Sequence, residues 1–200
     1  MDGVAGENAD HAGFDPPQRI DWLDHAALDD SLPGRLGLTF LPGKHGVSTR
    51  YPGRVYRRRL DDDLGMLRAA GVGRLVLLVE DGELEIWGDP DIVVRGAGAG
   101  VLVLRHPVPD GHPPASVAEM AAILAEIHDG RRSGNVAVAC MGGVGRSGTV
   151  AACALVQAGV PPDEAIAAVR AVRHPRAIET AEQERFVRSF ADADQAAERP

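Results

Sequence analysis

Cys140-Met-Gly-Gly-Val-Gly-Arg146-Ser147-Gly148-Thr149 joins an apolar run, residues 136–139, to a second apolar run starting at about Ser147. Read locally, this is a strand, a glycine-rich turn and a helix. Glycines at 142, 143 and 145 permit the backbone angles that aim successive N–H groups into one concavity, with the positive end of a helix dipole behind them. Such a nest fits a dianionic phosphate. Met141, Gly142, Gly143, Val144 and Gly145 would supply its backbone, and Arg146 could grip two phosphate oxygens with its planar fork. The same field favours a thiolate at Cys140, a nucleophile near neutral pH. Together these residues point to phosphoryl transfer through a phosphocysteine.

Two other readings compete. Residues 143–148 spell G-x-G-x-x-G after a strand, the dinucleotide fingerprint. That motif opens a series of βαβ units with an acidic residue about 20 positions on, whereas the remaining sequence reads as helices. Cys140 could also be a small buried hydrophobe, but that leaves Arg146 in a glycine-lined turn unexplained.

Two hundred residues suit one domain with a sizeable core. The domain is expected over 18–194, with a polar, acidic leader over 1–17 and a short tail over 195–200. A net charge of −8 argues against nucleic-acid partners and anionic membrane surfaces. No apolar run approaches the ~20 residues of a membrane span, and the N-terminus lacks a signal-peptide pattern. The two cysteines, Cys140 and Cys153, make no disulfide framework. Cys153 falls well along the helix after the loop, as a core residue would. A cytoplasmic monomer without metal or cofactor is the expectation. Arginine supplies all but one of the 21 basic residues, Lys44 being the exception, which suggests a GC-rich, bacterial source.

Strands are expected at 35–41, 74–79, 101–105 and 135–139, and helices at 58–70, 116–129, 147–158, 163–172 and 180–191. Residues 44–55 read as a loop. Residues 83–100, broken by Pro90 and several glycines, read as irregular, with a short helix from Pro90. Ser116 with Glu119 forms a capping-box signature. Strands alternating with helices predict an α/β fold: a mostly parallel sheet of four to five strands flanked by helices.

Phosphoryl transfer from an ester needs an acid to protonate the leaving oxygen. Asp110 lies in a proline-bounded loop after the strand at 101–105, on the strand-end rim where ligands bind in open parallel sheets. Taken alone, Pro109-Asp110-Gly111 would read as a turn. Asp81, Asp89 and Asp91 are the next carboxylates in line. Arg50, Arg54 and Arg57-Arg58-Arg59 could recognise phosphate or acidic residues flanking the target, or form a solvated face paired with Asp61-Asp62-Asp63. His106 and His112 have no metal-site spacing and read as structural.

Residues 140–147 resemble the phosphate loop of cysteine-dependent protein tyrosine phosphatases, and His106-Pro-Val-Pro-Asp110-Gly111 resembles their acid loop. Gly34-Arg-Leu-Gly-Leu-Thr-Phe-Leu-Pro-Gly43, the Gly142-Gly143 pair and Ala177-Ile-Glu-Thr-Ala-Glu-Gln183 look like the kinase-associated, dual-specificity branch. The resemblance covers about residues 33–192. It implies Cys140 as nucleophile, Arg146 as transition-state clamp and Asp110 as acid, then base. It implies Ser147 as hydrogen-bond donor to the departing thiolate and Gln183 as an aid in placing water. The family usually carries histidine before the nucleophile, where this chain has Ala139. The implied substrate is a phosphorylated protein, at tyrosine alone or at tyrosine and serine or threonine. A non-catalytic phosphoprotein-binding pseudophosphatase, or an enzyme for a small-molecule or lipid phosphate, are the alternatives.

Overall fold

The computed structural model describes Asp15 and residues 18–24, 26–29 and 31–197, with side chains as far as residue 191. The expected leader, Asp15 apart, lies outside the described residues. A two-residue strand, β1 (Asp21–Trp22), precedes β2 (Leu36–Phe40). After the Pro42-Gly43 turn come β3 (His45–Val47) and β4 (Val55–Arg57), which pair with each other as a hairpin. The sequence reads this stretch as a loop, because three-residue strands are too short to show an alternation.

Helix α1 (Leu60–Ala69) begins two residues later than its spacing suggests, since Arg59 stays extended as the N-cap. Strand β5 (Val72–Leu77) follows. The stretch expected to be irregular holds two short helices, α2 (Asp81–Trp87) and α3 (Ile92–Gly98), separated at Gly88 and Pro90. Glu80 and Glu83 close a capping box at the start of α2, with Glu80 in the place of the usual Ser or Thr. Strand β6 (Leu102–Arg105) leads into the acid-loop segment and α4 (Val117–Arg131). The Ser116 hydroxyl accepts from the Glu119 N–H at 3.1 Å, while the Glu119 carboxylate reaches one residue further back, to the Ala115 N–H at 2.8 Å. Strand β7 (Asn135–Cys140) is followed by α5 (Gly145–Gln157), α6 (Pro162–Val172) and α7 (Ala181–Ala197).

The main sheet has the order β1-β2-β7-β5-β6. Strands β2, β7, β5 and β6 run parallel and β1 is antiparallel at one edge. Val136, Val138 and Cys140 of β7 pack into a core shared with α4 to α7, while Ala137 and Ala139 pack into a second core with α1 to α3. Both faces of the sheet are therefore covered, which is why its strands read as continuous apolar runs. Helix α5 is buried on nearly all sides, from Gly145 to Val156. Its short side chains let the helix lie directly under the sheet, and so fix where its N-terminus points.

Asp63 ties three segments together. Its carboxylate accepts two hydrogen bonds from Arg58, at 2.6 and 2.9 Å, one from the Gly43 N–H at 2.8 Å and one from the Gln18 N–H at 3.3 Å. The expected solvated Arg–Asp face is thus only partly realised: Arg59 meets Asp62 at the surface, but Arg58 and Asp63 are a buried pair. Removing Asp63 would strand a buried guanidinium. Asp63→Ala should cost about 3–5 kcal/mol, whereas Asp62→Ala should stay within about 0.5 kcal/mol. Urea titrations of the two variants check the contrast.

Candidate active site

The four parallel strands each deliver one functional group to the same rim. Register pairs Phe40 with Cys140, Leu77 with Ala139, and Leu77 with Arg105, so all four strands end together. Lys44 follows β2, Glu83 follows β5, Asp110 follows β6 and Cys140 ends β7. This is the carboxyl-end edge at which open parallel sheets bind ligands. A cavity of about 370 Å³ opens there, with Cys140, Met141, Gly142 and Val144 at its floor and Phe40, Tyr51, Tyr56 and Trp87 among its walls.

Cys140 is 3% exposed, at the junction of strand and turn. Gly143 adopts a φ of 64°, and a Cβ there would sit 2.2 Å from the Thr39 carbonyl oxygen. Only glycine fits that position. The turn delivers Arg146 into the first turn of α5, where its side chain is 1% exposed. Its guanidinium donates to both Glu83 carboxylate oxygens, at 2.6 and 2.7 Å, and to the Val108 carbonyl at 2.9 Å. Asp110 Oδ1 lies 3.0 Å from Arg146 Nη2. Burial disfavours the guanidinium charge, but the Glu83 hydrogen bonds and the charges of Cys140, Glu83 and Asp110 outweigh it and hold Arg146 above the usual arginine range.

Cys140, Arg146 and Asp110 are thus brought together. The Asp110 side chain is 79% exposed, on the solvent side of the guanidinium. The Ser147 hydroxyl is buried and has no hydrogen-bond partner among the described residues. Gln183 packs against the phosphate loop, both its amide atoms lying 3.3 Å from where a Cβ on Gly145 would stand. It is fully buried, its amide oxygen accepting from the Glu179 and Thr180 N–H groups and its nitrogen donating to the His112 carbonyl. It staples the acid loop to the start of α7, and it is not among the residues lining the cavity.

Three residues that sequence reasoning passed over belong to the site. Glu83 carries the capping-box pattern with Glu80, a signal readable as a helix start but not as an arginine partner. Lys44 is the sole lysine of the chain, and it is largely buried beside the loop. Its ammonium donates to the Met141 carbonyl at 3.3 Å and sits 4.1 Å from the Tyr56 ring centroid. Burial lowers its pKa against the opposing pull of Cys140, Glu83 and Asp110. Arg173, just past α6, donates to the Gly143 carbonyl at 2.8 Å and the Gly142 carbonyl at 3.0 Å.

Of the remaining candidates, Arg50 lines the cavity and the others go elsewhere. Asp81 pairs with Arg105 at 2.9 Å and Asp89 with Arg95. Arg54 pairs with Asp15 at 2.6 Å, while Arg50 pairs with Glu179 across the cavity mouth. His112 lies 3.1 Å from Glu182. Cys153 is fully buried in α5, and burial pushes its thiol up. Among the described residues no group of three His, Cys, Asp or Glu side chains could hold a metal ion. No described helix is long and apolar enough to cross a membrane.

Comparison with known proteins follows the same lines. Residues 54–187 match the family model described as "PTP-SAK: Swiss Army Knife protein, DSP-PTPase phosphatase domain". The chain is 31% identical over 180 residues to cyclin-dependent kinase inhibitor 3 of Rattus norvegicus, covering 88% of this chain and 80% of the relative. The Sus scrofa protein of the same name is 30% identical over 179 residues, with the same coverage. The fold superposes on kinase associated phosphatase bearing serine for its catalytic-site cysteine, with a TM-score of 0.78, 27% identity, and 90% of this chain and 98% of that one covered. It also matches Tk-PTP in its active form, with a TM-score of 0.65, 29% identity, and coverage of 86% and 96%. The phosphate loop, the acid loop and the sheet that aligns them therefore place this chain in the dual-specificity phosphatase branch of the cysteine-dependent protein tyrosine phosphatases.

Proposed function

We propose that the chain hydrolyses phosphate monoesters on proteins, at tyrosine and also at serine or threonine, through a phosphocysteine intermediate. The observation that carries this reading is the meeting of three groups: a cysteine at the base of an N–H-lined turn, an arginine fork beside it, and a carboxylate 3.0 Å from that fork on the solvent side. The Cys140 thiolate attacks phosphorus as the ester P–O bond breaks, and Asp110 passes a proton to the departing oxygen. Water then attacks the phosphocysteine, Asp110 takes a proton from it, and the thiolate leaves with a hydrogen bond from Ser147. Arg146 follows the charge on the equatorial oxygens through both steps. Without substrate, Asp110 is ion-paired to Arg146, so an arriving phosphate dianion displaces it from the guanidinium and releases its side chain toward the leaving oxygen.

The relatives support a protein substrate through their names, a cyclin-dependent kinase inhibitor and a kinase associated phosphatase. Aromatic cavity walls suit an aryl ester, and the uncharged turn residues 141–145 offer no extra cations to a polyphosphorylated headgroup. An intact nucleophile, clamp and carboxylate speak against a pseudophosphatase. Assay of phosphotyrosine, phosphothreonine and phosphoinositide substrates tests the class. The peptides should be turned over first, and exclusive turnover of phosphoinositide would overturn the protein reading.

Cys140→Ser should abolish turnover while inorganic phosphate still binds, because a neutral hydroxyl removes the nucleophile and leaves the nest. Residual activity within about tenfold of wild type would rule out the phosphocysteine route.

Arg146→Lys keeps a charge but loses the fork, and would also leave the Glu83 carboxylate half-satisfied. A loss of about a hundredfold or more in kcat/KM is expected, as for other preorganised donors. Steady-state kinetics with an aryl phosphate measures it.

Asp110→Asn should hurt most where the leaving oxygen is most basic. Phenyl phosphate should lose roughly 10²-fold or more, and a nitrophenyl ester, which needs little protonation, much less. Equal losses across leaving groups would place the acid elsewhere.

A further inference from the structure

Four successive carbonyls of the phosphate loop are held from outside the loop. Lys44 donates to the Met141 oxygen at 3.3 Å, and Arg173 donates to those of Gly142 at 3.0 Å and Gly143 at 2.8 Å. The Ile178 N–H donates to the Val144 oxygen at 3.2 Å. In a planar trans peptide the carbonyl of one residue and the N–H of the next point in opposite directions. Fixing the oxygens of residues 141–144 outward therefore aims the N–H groups of Gly142, Gly143, Val144 and Gly145 inward. Among the described residues none of these four N–H groups donates to a protein acceptor.

The braces are themselves built in. The Arg173 side chain is 8% exposed and anchored by Asp21 at 2.5 Å, so β1 is tied to the loop through one guanidinium. Ile178 takes a φ of 63°, costly for a β-branched residue, yet it is 1% exposed and lies inside the helical core. Arg170 holds the same segment through the carbonyls of Ala177 and Ile178, at 3.0 and 3.4 Å. The strain is spent on pointing one N–H at the loop.

We propose that Arg173, with Lys44 as a second brace, is a positioning residue that keeps the phosphate loop in its anion-binding shape. Arg173 does not line the cavity and acts through the two peptide units it holds; Lys44 holds one peptide unit and also lines the cavity, so its loss removes a nearby cation as well. The inference rests on the phosphatase reading, since it takes the concavity to be a phosphate site. Arg173 matters more than Lys44 because it fixes two peptides at shorter distance and carries its own counter-ion.

Inorganic phosphate binding to the Cys140→Ser protein, measured by calorimetry, tests this without turnover. Arg173→Met in that background should weaken binding by about tenfold or more, and Lys44→Met by less, as expected when preorganised donors lose their aim. Arg173→Lys, whose ammonium can hold one of the two carbonyls, should fall between. Asp21→Asn should weaken binding while leaving Arg173 in place, which covers the case in which Arg173→Met does not fold. Arg188→Met, on the outer side of α7, should bind as the parent does. Unchanged affinity in both Arg173→Met and Asp21→Asn would overturn the brace, as would an equal loss in Arg188→Met. A Cys140→Ser parent that binds no phosphate would overturn the phosphate site itself, and the brace with it.

Discussion

A fully charged guanidinium, buried at the positive end of a helix dipole, is the constraint around which this molecule is arranged. Arg146 occupies the first turn of α5, where backbone N–H groups already concentrate positive charge. It stays there because Glu83 meets it with both carboxylate oxygens and the Val108 carbonyl fills another direction. Glu83 can do this because the Glu80 N–H also fixes its carboxylate, at 2.8 Å, at the start of α2. The segments after β5 and β6 are consequently fastened to the loop after β7. Three strands of the sheet are joined at their ends as well as along their edges.

The fold was legible where burial enforces one pattern. Residues 75–79 and 136–139 are apolar at every position because both sheet faces are covered, and they read as strands for that reason. The turn at 140–146 was equally plain, since glycines, a thiol and an arginine share no structural purpose other than anion chemistry. Elements that depend on few residues were not legible. The β3–β4 hairpin has three-residue strands, and α2 and α3 have seven residues each with glycine inside or beside them. Their stability comes from what they pack against, which no short window of sequence contains.

The same limit applies to the site. Cys140, Arg146 and Asp110 carry chemistry that can be named from residue type and rim position. Glu83, Lys44 and Arg173 are useful only through partners 63, 97 and 30 or 31 positions away. Arg58 and Asp63 show how composition misleads: a run of three arginines and one of three aspartates look like matched surface charge, but one residue of each is buried in a four-bond node. Gln183 is the converse, a polar residue with the look of a helix surface that turns inward to complete the caps of its own helix.

The β3–β4 hairpin stands apart from the main sheet, and among the described residues it makes no ladder bonds with it. It meets the rest of the molecule through a few points, among them the His45 ring to the Gly88 carbonyl at 2.8 Å and the Arg50–Glu179 pair. Yet it supplies Val47, Arg50, Tyr51 and Tyr56 to the cavity wall. Reactive groups and cavity wall are therefore carried by separate parts of the chain. Drift in the hairpin can reshape what the cavity admits without disturbing the sheet ends that carry out the reaction. In such a layout selectivity can evolve as an interchangeable module, at little cost to the stability of the core.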